Sequence, residues 1–152
     1  MNASLRRGGL PLPTLPAPPA ALRRLVERLP IEPPSLVLAL VLNRVLLPKL
    51  DAGARAALAG QAVEVCVTDF GVRCRLALDA RGFSPAPQVQ PVRLRVAAPG
   101  HAFWRMAAGD EDADTLFFER VLVMEGDTEY GLLLKNTLDA VGPLVPEFLR
   151  RR

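Results

Sequence analysis

The chain has 152 residues, half of them hydrophobic, and a formal net charge of +3. These numbers fit one domain with a real core. They argue against wholesale disorder and against a nucleic-acid reader, which carries a dense basic stripe where this chain nearly balances acids and bases. The mean hydropathy is positive, so apolar side chain must be received by a cavity, a partner interface or a membrane surface.

Residues 1–19 read as a flexible, proline-rich arm. Arg6 and Arg7 precede a stretch from Pro11 to Pro19 too rich in proline to form the apolar helix of a signal peptide. From Ala20 the spacing of Leu22, Leu25, Val26 and Leu29 predicts an amphipathic helix, with Arg23, Arg24 and Arg28 on its other side. Pro30, Pro33 and Pro34 are expected to end it, and Ser35 to cap a second, almost wholly apolar helix that stops at Pro48. Its apolar run, Leu36 to Leu47, contains Asn43 and Arg44. At about twelve residues it falls short of the roughly twenty needed to span a bilayer. A short helix is expected after Asp51, from Ala54 to Ala59.

The period then changes to two. Val63, Val65 and Val67 alternate with more polar neighbours, and after a turn at Asp69-Phe70-Gly71 so do Val72, Cys74, Leu76 and Leu78. A third strand around Phe83 ends at Pro85 and Pro87, and a fourth alternates Val92, Leu94 and Val96 with Arg93 and Arg95. A helix follows Pro99, carrying Phe103, Trp104 and Met106 and ending at Gly109. A helical turn over Asp112–Phe118, a fifth strand over Arg120–Glu125 and a last helix from Asp127 to Ala140 complete the fold. The order predicts an α+β protein with one sheet covered on one face by helices. The domain is expected over residues 20–142, with 143–152 a short basic tail.

No catalytic, metal or cofactor site can be assembled. His101 is the single histidine, and Cys66 and Cys74, expected to be buried reduced thiols of a cytoplasmic protein, have no base beside them. No glycine loop of the phosphate-cradling kind occurs.

The run from Asp112 to Ala140 resembles the signature of the UbiT family of ubiquinone biosynthesis accessory factors, within the wider sterol carrier protein (non-specific lipid-transfer) superfamily. The residues that carry the resemblance are Asp114-Thr115-Leu116-Phe117-Phe118, Glu125-Gly126-Asp127-Thr128-Glu129 and Lys135-Asn136. Weaker likeness extends over about residues 20–142. The resemblance implies a sterol-carrier-protein-like five-stranded sheet with an apolar cavity under its helices. It also implies a non-catalytic role in ubiquinone synthesis that needs no oxygen, beside iron–sulfur hydroxylase partner proteins. The chain departs from the pattern in its proline-rich arm and in stopping at Arg152, so a lipid-capturing tail is expected to be shortened.

These readings define a candidate lipid site. Phe103, Trp104, Met106, Leu116, Phe117, Phe118, Leu133 and Leu134 are expected either to line a cavity for an isoprenoid quinone precursor or phospholipid, or to fill the core. Arg23, Arg24, Arg28 and Lys135 are expected either to meet a headgroup or an anionic inner-membrane surface, or to be solvated. Arg73, Arg75, Arg93 and Arg95 share one sheet face, where Glu64 is placed to pair with one or two of them. Gly126-Asp127 reads as a strand exit and helix cap rather than a catalytic pair. The function expected is sequestration and presentation of a hydrophobic lipid; the rival readings are a ligand-free assembly module, and a general lipid carrier not tied to quinones.

Overall fold

A computed structural model describes residue 20, residues 32–146 and residue 149. The arm over residues 1–19 and Arg23, Arg24 and Arg28 lie outside the described residues, as does half of the basic tail, its three arginines included.

Helix α1 spans Glu32–Val45. Pro33 and Pro34, expected to separate two helices, instead sit in its first turn, where a missing N–H loses no helical partner. Ser35 is therefore not an N-cap. It is fully buried, and its Oγ accepts the backbone N–H of Arg75 at 2.8 Å. A 3-10 turn at Leu47–Lys49 leads to α2, Ala52–Leu58, whose first turn is capped by Asp51 accepting from the Ala54 N–H at 2.7 Å.

The strands are β1 (Ala62–Val67), β2 (Val72–Asp79), β3 (Gly82–Pro85), β4 (Val92–Ala98) and β5 (Val123–Gly126). They form one mixed sheet in the order β3-β2-β1-β4-β5. Only β1 and β4 run parallel, joined by the long β2–β3 excursion; the other neighbours are antiparallel. The register sets the faces. Val65 pairs with Cys74 on one side and Val96 on the other, placing the apolar sets of three strands in one row. Glu64 pairs with Arg75 and Arg95, so the charged set shares the opposite face.

After β4 come α3 (Gly100–Ala108), α4 (Ala113–Phe118) and α5 (Thr128–Val141). The fifth strand begins three residues later than the sequence predicts. Arg120 takes φ 62°, and the N–H groups of Val121 and Leu122 donate to the Leu116 carbonyl at 2.9 and 3.0 Å. This closure of α4 occupies the residues that would have opened the strand. Gly126 ends β5 at φ 118°, and a Cβ there would lie 2.5 Å from the Arg93 carbonyl oxygen, so the strand exit demands glycine. Leu94, Leu116, Leu122 and Ala102 centre the core, and the buried Tyr130 hydroxyl donates to the Leu58 carbonyl at 2.8 Å, tying α5 to α2.

Candidate functional site: an apolar cavity

The helices do not cover the sheet evenly. Helix α1 packs against β2 and β3, while α5 packs against β4, β5 and α2. Between them the middle of the sheet carries short side chains: Val63, Val65 and Val67 on β1 and Cys74 on β2. Such residues cannot reach a layer held apart by helices at both margins, and the gap stays open. The resulting cavity has a volume of about 1110 Å³, just above the range of ordinary small-molecule sites, roughly 300–1,000 Å³. Val37, Val41 and Val45 of α1 form one wall, and Phe103, Trp104 and Met106 of α3 another. Leu134 and Leu138 of α5, with Leu144 and Val145 beyond it, complete the lining. The chain thus stays on the fold past Gly142, where the Leu144 N–H donates to the Ala107 carbonyl at 2.7 Å.

Charge is concentrated at one cluster of the lining, which also includes the uncharged polar side chain of Gln61. Lys135, Asp112 and Asp139 are the charged side chains lining the cavity among the described residues. Lys135 Nζ lies 3.1 Å from Asp114 Oδ2 and 3.2 Å from Asp139 Oδ2. The hydrogen bonds it donates to these two carboxylates raise the lysine's pKa and keep it charged. Asp112 accepts the Thr115 N–H at 2.7 Å; that backbone bond lowers its pKa. Burial pushes the Cys74 thiol, on the cavity side of the sheet, up to about 11. Cys66, also a buried free thiol, faces the other side, where its Sγ donates to Glu64 Oε1 at 3.5 Å, and burial raises its pKa as well. Neither thiol is poised as a nucleophile. Among the described residues no group of His, Cys, Asp and Glu is arranged to hold a metal ion.

The structure divides the residues singled out from the sequence. Phe103, Trp104, Met106 and Leu134 line the cavity, and so does Lys135. Leu116, Leu133, Phe117 and Phe118 do not line it. Leu116 is buried in the core, and Leu133 packs against that core. Phe117 and Phe118 are 49% and 80% exposed and meet edge to face with ring centroids 6.2 Å apart. The reason is helical geometry: in the six-residue α4, Leu116 takes the inward direction, and its successors are carried round to solvent. The valines of β1, the α1 face and Leu144-Val145 were not singled out. Their strand and helix periods were legible, but the space above them was not.

The arginines of the outer sheet face are largely engaged. Arg95 Nε lies 3.5 Å from Glu64 Oε1, and Arg93 contacts Asp127 at 2.7 Å. Arg75 donates to the carbonyls of Gln88 and Gln90. This face lies opposite the cavity. On α1, Leu36, Val37, Leu40 and Val41 are 48–61% exposed. No helix among the described residues is long and apolar enough to cross a membrane.

Comparison with known proteins agrees with this architecture. One relative, the ubiquinone biosynthesis accessory factor UbiT of Escherichia coli, is 61% identical over 36 residues, or 24% of this chain and 21% of the relative. The chain thus matches about a fifth of that protein's length. Among solved structures, a UbiJ-SCP2 ubiquinone synthesis protein superposes with a TM-score of 0.55 at 18% identity, covering 69% of this chain and 92% of that one; this likeness shows the fold. The model of the SCP-2 sterol transfer family matches residues 41–139, from the middle of α1 almost to the end of α5, and the chain belongs to that family.

Proposed function

We propose that this protein is a lipid-binding accessory factor of ubiquinone biosynthesis, holding a hydrophobic quinone precursor or phospholipid and presenting it to iron–sulfur hydroxylase partners. The observation that carries the reading is the 1110 Å³ cavity with its almost wholly apolar lining. Each methylene transferred from water into such a space is worth about 0.8 kcal/mol, so a polyprenyl or acyl chain binds through its tail with no bond made or broken. Selectivity then comes from the cavity's shape and its one cluster of charged side chains. The tie to ubiquinone rests on the match to UbiT, and a non-catalytic role accords with the protonated thiols and with the sterol-transfer family.

The test is native mass spectrometry of the protein purified from its own cells, with lipid extraction alongside. A quinone precursor or phospholipid bound near one to one supports the reading and identifies the ligand. A clean ligand-free mass, with no uptake of added quinone or phospholipid, sinks it. That outcome favours an assembly module, for which the exposed Leu36, Val37, Leu40 and Val41 on α1 offer a docking face. Bound lipid with no quinone defect on deletion marks a general lipid carrier.

A further inference from the structure

A lipid whose tail fills the cavity must leave its polar end where the cavity is charged, at Lys135, Asp112 and Asp139. The charges there do not balance. Lys135 is shared between Asp114 at 3.1 Å and Asp139 at 3.2 Å, with its side chain only 18% exposed. Asp112 is a third carboxylate, fixed by the Thr115 N–H and close enough to Lys135 for the lysine's charge to lower its pKa. Among the described residues, three carboxylates thus stand around one ammonium group. Among the described residues, Arg73, Arg75, Arg93 and Arg95 project from the opposite face of the sheet.

We propose that the Lys135–Asp114–Asp139–Asp112 cluster is a selectivity device that admits lipids with an uncharged polar end, a phenol or quinone, and disfavours lipids with an anionic phosphate head. A phenol hydroxyl donates to a carboxylate there, and a quinone carbonyl accepts from the lysine, without opening either ion pair. A phosphate must instead detach Lys135 from two carboxylates, which are 52% and 47% exposed, and remain beside them, where like charges repel. The inference rests on the lipid-cavity reading above and narrows it to one chemical class of head.

The test uses the full chain and two probes of matched apolar length, an isoprenoid phenol and phosphatidic acid, each offered from uncharged detergent micelles. Trp104 is the single tryptophan and lines the cavity, so its emission reports occupancy; native mass spectrometry reports stoichiometry. The phenol is expected to bind about tenfold more tightly or better, with the preference shrinking as salt rises. The double substitution Asp114→Asn with Asp139→Asn should close the gap by improving phosphatidic acid binding, and Lys135→Gln should widen it. Thermal melts establish that each variant is folded. Equal or tighter binding of phosphatidic acid by the wild type overturns the selectivity while leaving the cavity reading intact. So does a ratio that neither variant moves. Binding of neither probe overturns both.

Discussion

The Asn43 side chain pairs with the backbone of Phe83 as a neighbouring strand would: the Phe83 N–H donates to Asn43 Oδ1 at 2.7 Å, and Asn43 Nδ2 donates to the Phe83 carbonyl at 2.9 Å. β3 is an edge strand, and this amide closes its open side while fixing α1 to the sheet. Gly82 makes room for it, since a Cβ there would sit 2.7 Å from Asn43 Oδ1.

Asn43→Leu should therefore destabilise the protein by about 2 kcal/mol, because it strands a half-buried N–H and C=O together. Denaturant unfolding measures this. Loss of under about 0.5 kcal/mol, the size of an ordinary surface change, would show that water replaces the amide freely.

Val65 lies mid-sheet on the cavity floor. Val65→Trp should fill part of the cavity and weaken lipid uptake about tenfold or more, while the melting temperature stays close to wild type because the indole enters existing space. Native mass spectrometry and a thermal melt read the two effects separately. Undiminished lipid binding in a folded variant would move the ligand elsewhere.

Cys74 should be inert toward polar thiol reagents. With its pKa pushed up to about 11, only about one thiol in a thousand is ionised at pH 8. The rate of labelling, followed by mass, should rise steeply above pH 9, and both cysteines should react at once in denaturant. Fast labelling of Cys74 at neutral pH would contradict its burial.

Two helix caps should make the fold acid-sensitive. The Tyr130 N–H on Asp127, and the Thr115 N–H on Asp112, lower the pKa of each carboxylate below its ordinary value. Because the folded-state value is depressed, their contribution is complete above the unfolded pKa, near 4, and is lost as pH falls through the lower folded-state values. Asp127→Asn keeps an acceptor for the cap but removes the titration, and also the ion pair to Arg93. Its melting temperature should lie below wild type at pH 6 and fall less steeply between about pH 4 and pH 2. Parallel curves would assign the acid sensitivity to other groups.

Much of this fold could be read without coordinates because local rules and tertiary need agree along most of the chain. Val63-Val65-Val67 and Leu94-Val96 alternate as strands facing one layer must, Asp51, Asp112 and Asp127 stand where helix N-termini need acceptors, and Gly126 sits where the backbone turns left-handed. Tertiary structure decided what has no short-range signature. Pro33-Pro34 fits equally a break or a first helical turn. Asn43 and Ser35 look like polar faults in an apolar helix until the strand edges they satisfy, 40 residues away in sequence, are placed beside them. The cavity belongs to the same class: a void is defined by what α1 and α5 fail to reach, and only the packing of both against one sheet shows that the β1 valines meet space rather than side chains. It also sorts Phe103 and Trp104 to the cavity wall and Phe117 and Phe118 to solvent. Adjacent aromatics carry the same hydrophobicity, and it is the direction each side chain leaves its helix that separates them.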